Sequence, residues 1–301
     1  MMDFARLLES LDPDLPPVAF LLEPPTALGL HVARSRNGMS VLSKVEQPFH
    51  LGEDGADAAQ LEALAGHLLA PLGQPQRASI ILGDSLLRMQ VLSLSDFPSK
   101  EDERQQVLKW HVKKVLNWDT GDLRMRYHII ERSGQTATLW LTMASDSLAQ
   151  SLEAAFAKHG CHIGYVGGVT PEVFSLALRR DVIPKDGTTL IVNRTDGAVS
   201  FLFCERGLPQ FFRCKDLWDS GGDDAEMMAQ EIRLKLAYQR ERLGGAQIRA
   251  VLTRRSLGSL SLPLEEALAN ETEVVPLVER LPASGAERSD MTLPLFGVLE
   301  D

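Results

Sequence analysis

Ile80–Phe97 reads IILGDSLLRMQVLSLSDF, passes through Pro98, and continues as Glu101–Asp119, EDERQQVLKWHVKKVLNWD, before Arg126–Ile130, RYHII. The apolar run Ser79–Leu82 predicts a short strand, Gly83-Asp84 a turn, and Leu86–Leu94 a second strand. A helix follows from Lys100 to about Trp118. Ser99 is its expected N-cap. Glu101, Asp102 and Glu103 suit the positive end of its dipole, and Lys113 and Lys114 the negative end. Core packing is the expectation for Trp110 and Trp118. Strands are then expected at Leu123–Glu131 and Thr136–Met143, joined at Ser133-Gly134.

Upstream, Val18–Leu22, Ala27–Arg34 and Met39–Val45 read as strands, broken at Pro24-Pro25 and Asn37-Gly38, the latter a strong hairpin signal. Ala58–Leu72 reads as a helix, with Leu61, Leu64, Ala65, Leu68 and Leu69 on one face. Downstream, a helix over Asp146–His159 stops at Gly160. A strand at Cys161–Gly167 precedes a helix at Pro171–Leu178 with Thr170 as its cap. Strands at Thr188–Val192, Ala198–Glu205 and Leu208–Lys215 turn at Asp196-Gly197 and Arg206-Gly207. A long helix from about Asp224 to Leu243, a strand Ile248–Leu252, a helix Leu264–Ala269, a strand Glu273–Pro276 and a helix Leu293–Leu299 complete the order. Each half is a strand meander followed by a helix and strand–helix units. This predicts an α/β protein of two similar lobes with mixed sheets, 1–160 and 161–301.

The 301 residues carry a net charge of −10, with 44% hydrophobic and 24% charged residues. That is a globular composition, and its acidity argues against nucleic acid as a partner. No run reaches the roughly 18 apolar residues of a membrane span, and the acidic N-terminus does not read as a secretion signal. Met1–Leu11 has the spacing of a short amphipathic helix. Cys161, Cys204 and Cys214 form no C-x-x-C pair and suit a reducing compartment, so a cytoplasmic location is expected. The seven histidines form no H-x-x-x-H pair, and His31 and His128 fall on strands. Neither a Gly-x-Ser-x-Gly turn nor a P-loop is present. Asp223-Asp224 and Glu265-Glu266 sit near expected helix starts, where acids serve the dipole. No metal, cofactor or catalytic residue is expected.

The opening stretch resembles the PilM family of type IV pilus assembly proteins. Leu108-Lys109-Trp110-His111 stands where that family has an Ile-x-Trp-Glu-like core. Arg126-Tyr127 stands where it has a strand beginning Asp-Tyr. In both places the acid is replaced. In the second half, Gly207-Leu208-Pro209 before Phe211-Phe212-Arg213, then Gly221-Gly222 and a helix with Tyr238, is similar to the family's Gly-x-Pro…Arg…Gly-Gly passage. The cytoplasmic domains of GspL and of MshI share this architecture and stay open as alternatives. The resemblance implies an actin-like fold, a duplicated ribonuclease H-like unit. Two lobes would face a nucleotide cleft, with a small subdomain over about 79–143 inserted in the first.

That cleft would be built from turns whose backbone N–H groups approach phosphate. Where the family has a Gly-Ile-Asp-Ile-Gly-Ser-Ser-like turn, this chain has Ala19-Phe20-Leu21-Leu22-Glu23-Pro24-Pro25. Glu23 would set a negative charge against phosphate, and the two prolines remove donors. Asp196-Gly197 reads better as a hairpin turn than as a phosphate loop. The adenosine turn is replaced by Leu252-Thr253-Arg254-Arg255. The expectation is a degenerate site, at Glu23, Pro24, Pro25, Asp196, Gly197 and Arg254, without significant ATP binding. The resemblance implies a cytoplasmic scaffold held at the membrane through partners. These are the N-terminal tail of a PilN-like membrane protein and other pilus or secretion platform components. Trp110, Lys113 and Trp118 are the expected contacts, and self-association is left open. The competing reading is an active actin-like ATPase.

Overall fold

The computed structural model describes residues 16–35, 38–51, 57–116, 120–195, 197–216, 233–234, 237, 241, 248–254, 274–281 and 289–300. The expected N-terminal helix and the helices at 224–243 and 264–269 lie outside them or nearly so, as do Asp196 and Trp118.

Strand β1 (Val18–Glu23) is buried at every position. It pairs antiparallel with β2 (Thr26–Ser35) and parallel with β4 (Arg77–Leu82). An unbroken apolar run is what a central strand covered on both faces requires. Next to β2 lies β3 (Gly38–Pro48), and next to β4 lies β8 (His162–Gly168), giving the order β3-β2-β1-β4-β8. The second half repeats it. The order is β11 (Leu208–Asp216), β10 (Ala198–Glu205), β9 (Thr188–Arg194), β12 (Ile248–Arg254) and β13 (Val274–Pro276). In both sheets a three-strand antiparallel meander is extended by two parallel strands. The duplication read from the order of elements is therefore a duplication of strand topology.

Helix α1 (Ala58–Leu69) buries the five residues expected, Leu61, Leu64, Ala65, Leu68 and Leu69. Asp57 caps it by accepting a hydrogen bond from the Ala59 amide at 3.0 Å. A 3-10 turn extends it to Leu72. Two expected caps differ. For α2 (Glu101–Lys114) the N-cap is Lys100, not Ser99, and its carbonyl accepts from the Arg104 amide at 3.1 Å. For α4 (Val169–Arg179) the N-cap is Gly168, and Thr170 lies inside the first turn. There its hydroxyl is drawn into a buried network described below. Helix α3 (Asp146–Lys158) is capped by Ser145, and Gly160 takes φ +77° after its end.

Between β4 and α3 sits a third sheet, β5 (Leu87–Leu94), β7 (Thr136–Ser145) and β6 (Leu123–Ser133), in the order β5-β7-β6. Its faces alternate as a pleated sheet dictates. Leu139, Leu141 and Met143 join Leu108 and Val112 of α2 in a separate small core. Trp140, on the opposite face, packs near Phe174 of α4 and Phe212 of β11, with ring centroids at 6.3 and 5.9 Å. One face of this sheet thus belongs to α2, and the other looks at the lobes.

After the four-residue helix α5 (Leu277–Arg280), α6 (Leu293–Leu299) is buried along its whole length against α4 and β1. Arg34 donates to the Leu299 carbonyl at 3.0 Å, and Arg179 to that of Gly297, satisfying carbonyls at the helix end. A Cβ on Gly297 would lie 2.4 Å from the Glu172 carbonyl oxygen. Gly297→Ala must therefore push α6 off the α4 backbone. The expected cost is about 1–3 kcal/mol, read as a lower urea midpoint.

Candidate functional site: an interlobe ion pair and an open groove

Parallel pairing aligns strand ends. Because β1 runs parallel to β4, Glu23 and the Gly83-Asp84 segment leave the first sheet at the same end. Because β9 runs parallel to β12, Asn193 lies in register with Arg254. The carboxyl ends of parallel strands are where α/β folds bind ligands. Here the four side chains from those ends, two per lobe, bind each other.

Arg254 is fully buried and Glu23 is 2% exposed. The guanidinium grips the carboxylate as a fork, with Nη1 to Oε1 at 2.8 Å and Nη2 to Oε2 at 2.9 Å. Nη1 also donates to Asn193 Oδ1 at 2.9 Å, and Nε to the Asp290 carbonyl at 2.8 Å. Four of the five N–H donors of Arg254 are thereby committed. With its oxygen turned to Arg254, Asn193 points Nδ2 at Asp84 Oδ2, 2.8 Å away, and at Thr170 Oγ1, 3.3 Å away. Asp84 accepts from the Thr170 amide at 3.0 Å and from its hydroxyl. The amide is one of the unpaired N–H groups at the start of α4.

Burial holds the Asp84 carboxyl above its ordinary pKa, against the opposing hydrogen bonds from Thr170, Ser200 and Asn193. Folding favours the protonated form, so the cost of ionising Asp84 grows as pH rises past its unfolded pKa and is complete above its folded pKa. The cost is absent below the unfolded value. The stability of wild type relative to Asp84→Asn should therefore fall as pH rises through that interval and level off above it. Chemical denaturation of both proteins across an acid pH series measures this.

The expected site residues Glu23 and Arg254 are brought into direct contact. Pro24 and Pro25 form the β1–β2 turn, with a cis peptide bond between them, and offer no N–H toward the cleft. Gly197 lies in the β9–β10 turn, which Thr195 closes by accepting from the Ala198 amide at 2.9 Å. Asp196 is outside the described residues. Asp84, Asn193 and Thr170 were not among the expected site residues. The sequence places Asp84 in a turn, yet the side chain is only 1% exposed. Among the described residues no cluster of His, Cys, Asp or Glu could hold a metal ion.

A second feature lies on the lobe-facing side of the inserted sheet. On β6 and β7, Arg124, Arg126, Thr142 and Ala144 share that face. They border a groove of about 300 Å³ whose other wall is Ile163–Val166 of β8 and Glu153 of α3. β8 ends its sheet, and among the described residues no strand pairs with its outer edge. Arg124 is held by Asp146 and Glu153, and the Arg126 guanidinium lies 5.6 Å from the Tyr165 ring centroid. The residues expected to contact a partner are not in this groove. Trp110 and Lys113 are exposed on the outer side of α2, and Trp118 lies outside the described residues. Trp110 is 61% exposed rather than part of the core. Leu108 and Val112 set the buried stripe, and two residues of α-helix turn Trp110 about 200° away from Leu108.

Comparison with protein-family models and with characterised sequences gives no match. Solved structures do match. A chain of the "PilM-PilN type IV pilus biogenesis complex" superposes with a TM-score of 0.71 at 13% identity, over 95% of this chain and 96% of that one. This chain has a PilM-like, actin-like fold. A Bacteroides thetaiotaomicron protein, described as having an actin-like ATPase fold and unknown function, matches with a TM-score of 0.56 at 11% identity, over 98% of both chains. The cytoplasmic domain of EpsL, an inner membrane component of the Vibrio cholerae type II secretion system, matches with a TM-score of 0.52 at 12% identity, over 94% of both. Within the actin-like frame, the Glu23–Arg254 pair sits between the lobes at the strand ends. Among the described residues no helix is long and apolar enough to cross a membrane.

Proposed function

We propose that this actin-like protein is a non-catalytic scaffold of a type IV pilus or type II secretion machine. It holds the extended N-terminal tail of a membrane-anchored, PilN-like partner and does not turn over ATP. The observation that carries the reading is the contrast between its two clefts. Between the lobes, a nucleotide would have to break a buried bidentate ion pair and bring phosphate beside Glu23 and Asp84. Under the inserted sheet, the outer edge of β8 has no partner strand among the described residues and lies beside an open groove. An extended peptide adds to such an edge through its backbone and is selected by the side-chain pockets next to it.

In this reading the two lobes are 1–160, which carries the inserted subdomain over about 79–143, and 161–301, with β8 at the start of the second adding to the sheet of the first. The protein works on the cytoplasmic side of the inner membrane, reaching it through its partner. The experiment is photo-crosslinking in cells with a reactive residue placed at Val166. Cross-links to the N-terminal segment of a membrane-anchored protein are expected. Cross-links confined to soluble proteins would refute the assignment.

A further inference from the structure

We propose that the C-terminal half of α2 is a contact surface for an anionic membrane. The outward arc of its last turns carries Lys109, Trp110, Lys113 and Lys114, all exposed. Trp110 is 61% exposed, and Val115, one residue past the helix end, is 56% exposed. Helix geometry puts Lys113 and Lys114 three and four residues from Trp110, on either side of its indole. None of the three lysines has an ion-pair partner among the described residues. Arg104 on the same helix is paired, as are Arg124 and Lys158 elsewhere.

The helix dipole accounts for lysines in the last turn. It does not account for a large apolar ring left in water between them. Buried Leu108 and Val112 already anchor the helix, so the indole is not needed for packing. An indole flanked by long-stemmed cations is the chemistry of a membrane–water boundary. The ring lies among headgroups, and the ammonium groups reach lipid phosphates. Among the described residues these side chains line one side of a helix rather than the pocket that a protein hot spot usually occupies.

Charge complementarity selects the lipid and the orientation. The chain carries a net charge of −10, so an anionic bilayer repels it on average. Only a local cationic patch can overcome that. The acids Glu101, Asp102 and Glu103 stand at the other end of α2, about 10 Å or more along its axis. They would tilt the helix so that its C-terminal end meets the bilayer. Such a contact is weak alone. It gains by effective concentration once a membrane-anchored partner is held. The patch itself does not depend on that partner.

The test is vesicle flotation of the full chain without any partner. Vesicles of phosphatidylethanolamine with phosphatidylglycerol are compared with vesicles of phosphatidylcholine. Binding is expected to the first at low ionic strength, fading toward physiological salt, and not to the second. Lys113→Gln and Lys114→Gln should each weaken it roughly fivefold. Trp110→Ala should weaken it too, while leaving the thermal melt unchanged because the ring is exposed. No flotation with the anionic vesicles would overturn the proposal, as would flotation that the three substitutions leave unaltered. Loss of binding to an acidic protein segment, with vesicle binding intact, would also overturn it by making the patch a protein contact.

Discussion

Arg254→Met is expected to destabilise the protein by about 3–5 kcal/mol. The substitution leaves the Glu23 carboxylate, 2% exposed, without its counter-charge. It also removes the donors that serve Asn193 Oδ1 and the Asp290 carbonyl. The same reasoning says what a second change does. Glu23→Leu combined with Arg254→Met replaces a buried ion pair by apolar groups, and such swaps are often neutral or stabilising. The double variant should therefore recover most of the loss, and a double-mutant cycle from urea unfolding would show the coupling. A single-variant cost below about 1 kcal/mol, the range of an exposed pair, would mean that water reaches the guanidinium. The pair is thus not an argument for exceptional stability. Its consequence is specificity: it fills the place between the lobes with groups that already satisfy each other.

If the groove holds the partner's tail as proposed, Thr142→Trp weakens that binding at least about tenfold, the equivalent of roughly 1.4 kcal/mol. Thr142 lies on the groove face of β7, in register with Arg126 and Met89. An indole there would project into the groove of about 300 Å³ and obstruct the approach to β8. Its neighbours Leu141 and Met143 point into the small core on the other face, so the packing against α2 stays intact. Fluorescence anisotropy with a peptide of the partner's N-terminal tail reads the loss. An unchanged affinity would move the tail to another surface.

The parts of the fold that were legible are those with local periodicity. The five-residue stripe of α1 and the continuous apolar run of β1 each encode their environment within one element. The two-lobe repeat could be inferred because meander and crossover recur in order. The register that makes the sheets topologically equal appears only when β4 and β12 are placed beside β1 and β9.

The site was half legible. Glu23, Pro24, Pro25 and Arg254 stood out as departures from a phosphate-binding pattern. Nothing in the sequence says that Arg254 meets Glu23, 231 positions away. Gly83-Asp84 is the turn that the sequence suggests, but an acid buried in a network has no local signature. Thr170 was misread for a related reason: a threonine at a helix start resembles a cap whichever acid it serves. Core packing is the default expectation for Trp110, but the phase set by Leu108 and Val112 turns it outward.

The most direct measurement is isothermal titration of the purified protein with Mg-ATP, beside the Glu23→Leu, Arg254→Met double variant. With the cleft filled by Glu23, Arg254, Asn193 and Asp84, the wild type should show no saturable binding into the millimolar range. Stoichiometric binding with a micromolar Kd, lost in the double variant, would contradict the account, because a nucleotide would then be using the groups held here to be spent on each other.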